Sequence, residues 1–114
     1  MAEAVRLICA SAELADGGKG VRFEMPTASG IQAAFAVRYG GRVFGFLNRC
    51  AHIGIELDWQ PGEFFDESGL YLVCTTHGAA YLPDSGECIA GPCRGARLAQ
   101  LNIIEQNGGV YLLE

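Results

Sequence analysis

An all-β domain is what this sequence predicts, and three observations predict it. Sixteen glycines and four prolines punctuate a series of short apolar runs, the pattern of strands joined by turns. No window of 12 residues keeps a 3.6-residue period, so no amphipathic helix is expected. Ile31 to Tyr39 alternates at period two, with Ile31, Ala33, Phe35, Val37 and Tyr39 on one face.

The elements follow in chain order. Val5 to Ala10 is a first strand, and Ser11 to Lys19 is too short and glycine-rich to be more than a helical turn. Val21 to Met25 is a second strand. Ile31 to Tyr39 and Arg42 to Asn48 form a hairpin around Gly40-Gly41, a two-residue turn whose positive φ costs glycine little. Trp59-Gln60-Pro61-Gly62 reads as a turn and Leu70 to Cys74 as the next strand. Leu98 to Ile104 and Val110 to Leu113 close the chain as a second hairpin around Asn107-Gly108-Gly109. There are no repeats and no low-complexity segments.

Half of the 114 residues are hydrophobic and 18% are charged, enough apolar surface to order one small domain and not a disordered tail. A net charge of −5 argues against a nucleic-acid binder. No apolar run approaches the roughly 20 residues a membrane span requires. The first ten residues carry an early acid and no basic stretch before a long apolar run, so no signal peptide is expected. A soluble, cytoplasmic protein is the expectation.

Five cysteines are an odd number, and in a reducing compartment they are ligands, redox groups or buried thiols before they are disulfides. Both histidines of the chain stand beside a cysteine. Cys50-Ala51-His52 and Cys74-Thr75-Thr76-His77 are separated by 21 residues, and each follows a predicted strand. Gly54 and Gly78 give the backbone behind each box freedom to turn tightly. Two thiolates and two imidazoles allow two chemistries. One is a binuclear [2Fe–2S] centre with histidines on one iron; the other is a structural Cys2His2 zinc site. Zinc knuckles usually contribute like pairs, whereas each box here mixes Cys with His, which suits the binuclear centre.

Cys50-x-His52 and Cys74-x-x-His77-Gly78 resemble the two ligand boxes of the Rieske iron–sulfur family, and Gly91-Pro92 resembles its third, cluster-covering loop. The resemblance runs from about Ile31 to the C-terminus. It implies three stacked antiparallel sheets, with a cluster-binding subdomain (about 48–95) on a base (about 1–47 and 96–114). It also implies one [2Fe–2S] cluster, with Cys50 and Cys74 on one iron and His52 and His77, near the surface, on the other. The implied activity is one-electron transfer by a soluble ferredoxin, passing electrons from a reductase to an oxygenase or similar acceptor. The implied partners are thus redox proteins, with no nucleic acid and no membrane. An oxygenase in its own right would need a further iron held by two histidines and a carboxylate, and both histidines are already assigned.

Departures from the family pattern carry information. The interval of 21 residues is somewhat long. High-potential members have an extra cysteine in each box; Ile55 and Thr76 stand at those positions, so that disulfide is absent. Their serine two residues after the second histidine is here Ala79, while Tyr81 keeps a hydroxyl. Fewer hydrogen bonds to the sulfurs lower the potential, so a midpoint of about −150 to 0 mV is expected within the Rieske range.

The remaining features have plainer readings. Cys9, Cys88 and Cys93 read as buried thiols, with a Cys88–Cys93 disulfide or a zinc grouping of Cys74, His77, Cys88 and Cys93 as alternatives. Trp59, Phe64, Phe65 and Tyr71 read as core and turn packing. Glu56, Asp58, Glu63, Asp66 and Glu67 lie between the boxes with no Lys or Arg among them. They read first as a solvated face and second as a docking face for a basic partner. Arg49, Arg94 and Arg97 flank the box or the Gly-Pro loop.

Overall fold

The computed structural model describes residues 5–28, 30–49, 56–58, 60, 62–74, 78–91 and 95–113. Among the described residues ten strands form three antiparallel sheets, and the helical turn Ser11–Glu13 is the only helical element. β1 (Val5–Ala10), β9 (Ile103–Gln106) and β10 (Gly109–Leu113) make a terminal sheet in the order β1-β10-β9. β2 (Val21–Thr27), β3 (Gly30–Tyr39), β4 (Arg42–Leu47) and β8 (Gln100–Leu101) make a central sheet in chain order. β5 (Leu72–Cys74), β6 (Ala79–Tyr81) and β7 (Cys88–Ala90) make a small third sheet. No helix among the described residues is long and apolar enough to cross a membrane.

Both hairpins form where the sequence predicts them. β3 and β4 pair from Tyr39↔Arg42 to Ala34↔Leu47, and Gly40 and Gly41 both take positive φ. Asn107 and Gly108 do the same between β9 and β10, a turn whose twist matches that of its strands. β2 runs on through Pro26 to Thr27. Pro26 is tolerated because β2 lies at the sheet edge, where a missing N–H need not break a ladder.

The predicted strand Leu98 to Ile104 is corrected by the structure. Leu98 is a buried connector residue, Gln100–Leu101 pairs with β4, and Ile103–Gln106 pairs with β10. One apolar run thus crosses from one sheet to another, which periodicity alone does not reveal. β6 and β7, only three residues each, were not predicted; they are too short to show alternation.

β3 separates two cores. Phe35 and Val37 face a larger one with Phe46, Leu57, Phe64, Leu72, Cys74, Ala79, Tyr81, Cys88 and Leu98. Ala36, on the opposite face, joins Cys9, Leu14 and Val110. The alternation is as expected, but both faces are buried at the strand's centre, while Ile31 at its start is exposed. Phe64 stacks on Phe35 with centroids 4.0 Å apart, and Phe65 stacks on Tyr39; Trp59 lies outside the described residues.

The terminal and central sheets are joined by Arg38. Its guanidinium donates to the carbonyls of Leu14 (2.8 Å), Gly41 (3.2 Å) and Ser11 (3.3 Å), and bidentately to the Glu105 carboxylate of β9. This pairing, helped by the nearby Ser11 hydroxyl, pulls the Glu105 carboxyl down to about 2 from an ordinary 4.5.

Candidate metal centre

Cys74 is the last residue of β5 and is fully buried. Its Cα partner across the small sheet is Ala79, the first residue of β6. β5 and β6 therefore pair as neighbours right up to Cys74. The Gly78 amide donates to the Cys74 carbonyl at 2.8 Å, closing the turn. Gly78 has φ +69°, a conformation β-carbons oppose. Cys74 and Ala79 belong to the larger core together with Tyr81 and Leu57, so the box has a rigid, apolar floor.

The third loop begins against this floor. Gly91 has φ +95°, and a methyl group there would sit 2.7 Å from the Ala79 Cα and 3.2 Å from the Gly78 carbonyl. Only glycine lets this backbone lie against the residues that pair with Cys74. The Gly-Pro feature therefore has a physical cause at its glycine.

The residues that flank the first box are described, Asn48 before it and Leu57 and Asp58 after it. Asn48 follows β4, and its amide donates to the Ala33 carbonyl at 2.9 Å. Its buried side chain accepts from the Leu57 amide (2.8 Å) and donates to Asp58 Oδ1 (2.8 Å). Asp58 Oδ2 accepts from the Gly62 amide at 3.0 Å and lies 3.3 Å from Arg22 Nε of β2. Asp58's side chain has no solvent exposure, and Leu57 is buried in the core cluster that also contains Cys74.

Cys50, His52 and His77 lie outside the described residues, as do Pro92, Cys93, Arg94, Ile55 and Thr76. Of the four candidate ligands Cys74 alone is described, and no group of three or more potential metal ligands occurs among the described residues. Cys9 and Cys88 are buried, as read from the sequence. Burial, followed by the charge of Glu13, pushes the Cys9 thiol pKa up, which keeps it protonated and unreactive. Cys88 Sγ donates to the Ala90 carbonyl at 3.2 Å. Arg49 and Arg97 are exposed.

The run of acids between the boxes is not one face. Asp58 is buried and structural, a correction to its reading as a solvated or docking residue. Glu56 pairs with Arg22 at 2.8 Å and Glu63 with Lys19 at 3.8 Å. Asp66 accepts from the Ser68 amide and hydroxyl, and the hydroxyl above all lowers its pKa. The cations missing from the run arrive from β2 and the segment before it. No local sequence signal announces Asn48 or Asp58, because the bonds join residues across a loop and a sheet.

Residues 4–105 match the sequence pattern of the Rieske [2Fe-2S] domain. No curated protein matches the chain. Among solved structures, a ferredoxin of Sphingomonas yanoikuyae B1 is similar with a TM-score of 0.75 and 22% identity, covering 99% of each chain. The ferredoxin of carbazole 1,9a-dioxygenase from Nocardioides aromaticivorans IC177 has a TM-score of 0.72 and 17% identity, covering 96% of this chain and 97% of the other. The terminal oxygenase of carbazole 1,9a-dioxygenase from the same organism has a TM-score of 0.78 and 20% identity; 97% of this chain corresponds to 30% of that one. At these identities the likeness is one of fold.

Proposed function

This chain belongs to the Rieske [2Fe-2S] domain family, and on that premise we propose that it is a one-electron carrier delivering electrons to an oxygenase or a similar acceptor. The observation that carries this reading is the family match over residues 4–105, which contains both Cys-His boxes. The likeness of fold to ferredoxins supports the carrier reading. A reductase as the electron source follows from the same reading. So do a cytoplasmic location and the absence of membrane and nucleic-acid partners, which the charge of −5 supports.

One Rieske-type [2Fe–2S] cluster is the family's cofactor, and what it supplies when bound is reversible uptake of one electron. The residues of this chain suit it. Cys50 and Cys74 are assigned as the thiolate ligands of one iron, and His52 and His77 as the imidazole ligands of the other. A thiolate at the buried Cys74 position would be costly without a compensating positive charge, and ligation provides one. Leu57, Leu72 and Ala79 exclude water from the inner side of the box. Gly91 lets the third loop's backbone press against Ala79, the positive φ of Gly78 suits the turn after Cys74, and Ala79 offers no side-chain hydrogen bond. Residues 48–95 are assigned as the cluster-binding subdomain and 1–47 with 96–114 as the base. In support, the small sheet is drawn wholly from 72–90, while Phe35 and Phe46 of the base share its core.

The test is spectroscopic. Purified protein should be brown and give the EPR signal of a Rieske cluster on reduction. Alanine at His52 or His77, or serine at Cys50 or Cys74, should abolish or convert that signal. A colourless protein holding one tight zinc ion would overturn the reading in favour of a structural zinc module. A native signal retained in any of the four variants would show that the ligand assignment is wrong.

A further inference from the structure

The buried Asn48–Asp58 pair closes the base of the segment that carries Cys50 and His52. We propose that Asp58 and Asn48 are positioning residues for this first ligand box, holding it in register with the Cys74 box and with the base. The proposal rests on the ligand assignment above. Four contacts carry it. Asn48 Oδ1 takes the Leu57 amide and Asn48 Nδ2 gives to Asp58 Oδ1, both at 2.8 Å, so the two ends of the segment 49–56 are fastened to each other. Asp58 Oδ2 takes the Gly62 amide at 3.0 Å and faces Arg22 at 3.3 Å, fastening the far end to β2. The Gly20 amide, just ahead of β2, donates to the Gly62 carbonyl at 2.9 Å.

The clamp also reaches the second box. Leu57, whose amide it holds, is fully buried in the core that contains Cys74 and Ala79. The position of one loop base is thereby tied to the floor of the other. A buried carboxylate is a costly choice for a merely structural contact, since apolar packing would hold a loop base at least as well. Its directional bonds, however, specify one geometry.

The pair has a polarity that can be exchanged. In Asp58→Asn, the new amide must accept from Gly62 with its oxygen, which turns its NH2 towards the NH2 of Asn48. Flipping Asn48 only moves the conflict to the Leu57 amide. In Asn48→Asp, two carboxylates face each other. The double exchange, Asn48→Asp with Asp58→Asn, restores all three hydrogen bonds with donor and acceptor reversed between the side chains, and leaves Arg22 facing an amide oxygen that can still accept from it.

Holoprotein is prepared as wild type, both single variants, the double exchange and Arg38→Gln, a destabilised control away from the loop. EPR line shape, midpoint potential, iron release to a chelator and urea midpoint are measured on each. Each single variant should broaden the EPR signal, shift the midpoint potential and release iron about tenfold faster, the factor equivalent to about 1.4 kcal/mol. The double exchange should recover the wild-type line shape and release rate, and Arg38→Gln should lower the urea midpoint with an unchanged signal.

Single variants that lose stability but keep the wild-type signal and release rate would overturn the proposal, as would a double exchange no better than the singles. If the single variants do not fold, a folded double exchange with the wild-type signal supports the clamp, and one that is unfolded or cluster-poor refutes it. A wild-type protein without a Rieske signal refutes the ligand assignment itself and the clamp with it. That failure is read before any variant is compared.

Discussion

Ala79 stands across the small sheet from Cys74, where a side-chain hydroxyl would lie beside the thiolate box and a methyl group cannot donate. Replacing Ala79 with serine should therefore raise the midpoint potential. One added hydrogen bond is worth about 1 kcal/mol net, or about 40 mV for a one-electron couple. Protein-film voltammetry of the two proteins measures the difference; an unchanged or lower value would remove Ala79 as a cause of low potential. The wild-type midpoint itself is expected below about 0 mV, and one above about +150 mV would contradict that origin. Arg38 acts at the same scale but on stability. Because Glu105 is held near 2 in the folded chain against 4.5 ordinarily, its stabilising contribution is complete above about 4.5 and is lost as pH falls from there towards 2. In Arg38→Gln the Glu105 carboxyl carbon should titrate near its ordinary value by NMR, whereas in wild type it should not titrate down to pH 4. The same substitution should cost about 2 kcal/mol at neutral pH, the worth of a charge-assisted hydrogen-bond set.

Among the elements, β4 meets β9 where Gly45 leaves room for Ile103, and any β-carbon at position 45 would run into that side chain. Gly45 thus matters for what it lacks, since its own φ is ordinary. Gly45→Val should overpack this contact and cost about 1–3 kcal/mol, read as a lower urea midpoint. The Rieske signal should remain, because the site stands on the opposite face of the central sheet, with Phe35 and Val37. Loss of the signal at full stability would mean that the two cores are not separable in this way. The small sheet is the weaker element: three strands of three residues supply few ladder bonds of their own.

For the whole molecule, that weakness predicts that metal and fold are coupled. Chelating the iron should raise amide exchange in β5, β6 and β7 well above that in β3 and β4, whose pairing runs over six residue pairs. Hydrogen exchange of the iron-loaded and iron-stripped protein measures this. Equal protection in both forms would show that the larger core alone holds the small sheet. The shared core gives the opposing pull, since Phe35 of the base stacks on Phe64 in the cluster that also holds Leu72, Cys74, Ala79 and Tyr81.

The all-β class, the two glycine-containing hairpins and the family, through its paired Cys and His, were legible from the sequence. Each is written in neighbouring residues: period-two alternation, a two-residue turn, a Cys and a His one or two positions apart. The same locality explains what was missed. β6 and β7 are too short to carry a period, and Leu98 to Ile104 looks continuous although its parts pair with different sheets. Asp58 looked like one acid in a solvated run because Arg22 and Asn48 reach it from elsewhere in the chain. The sequence by itself determined the family and with it the cofactor, since the identity and spacing of its cysteines and histidines are covalent facts. Only the tertiary structure decided which polar groups are buried and joined, because hydrogen bonds between distant segments exist only once the sheets have brought them together.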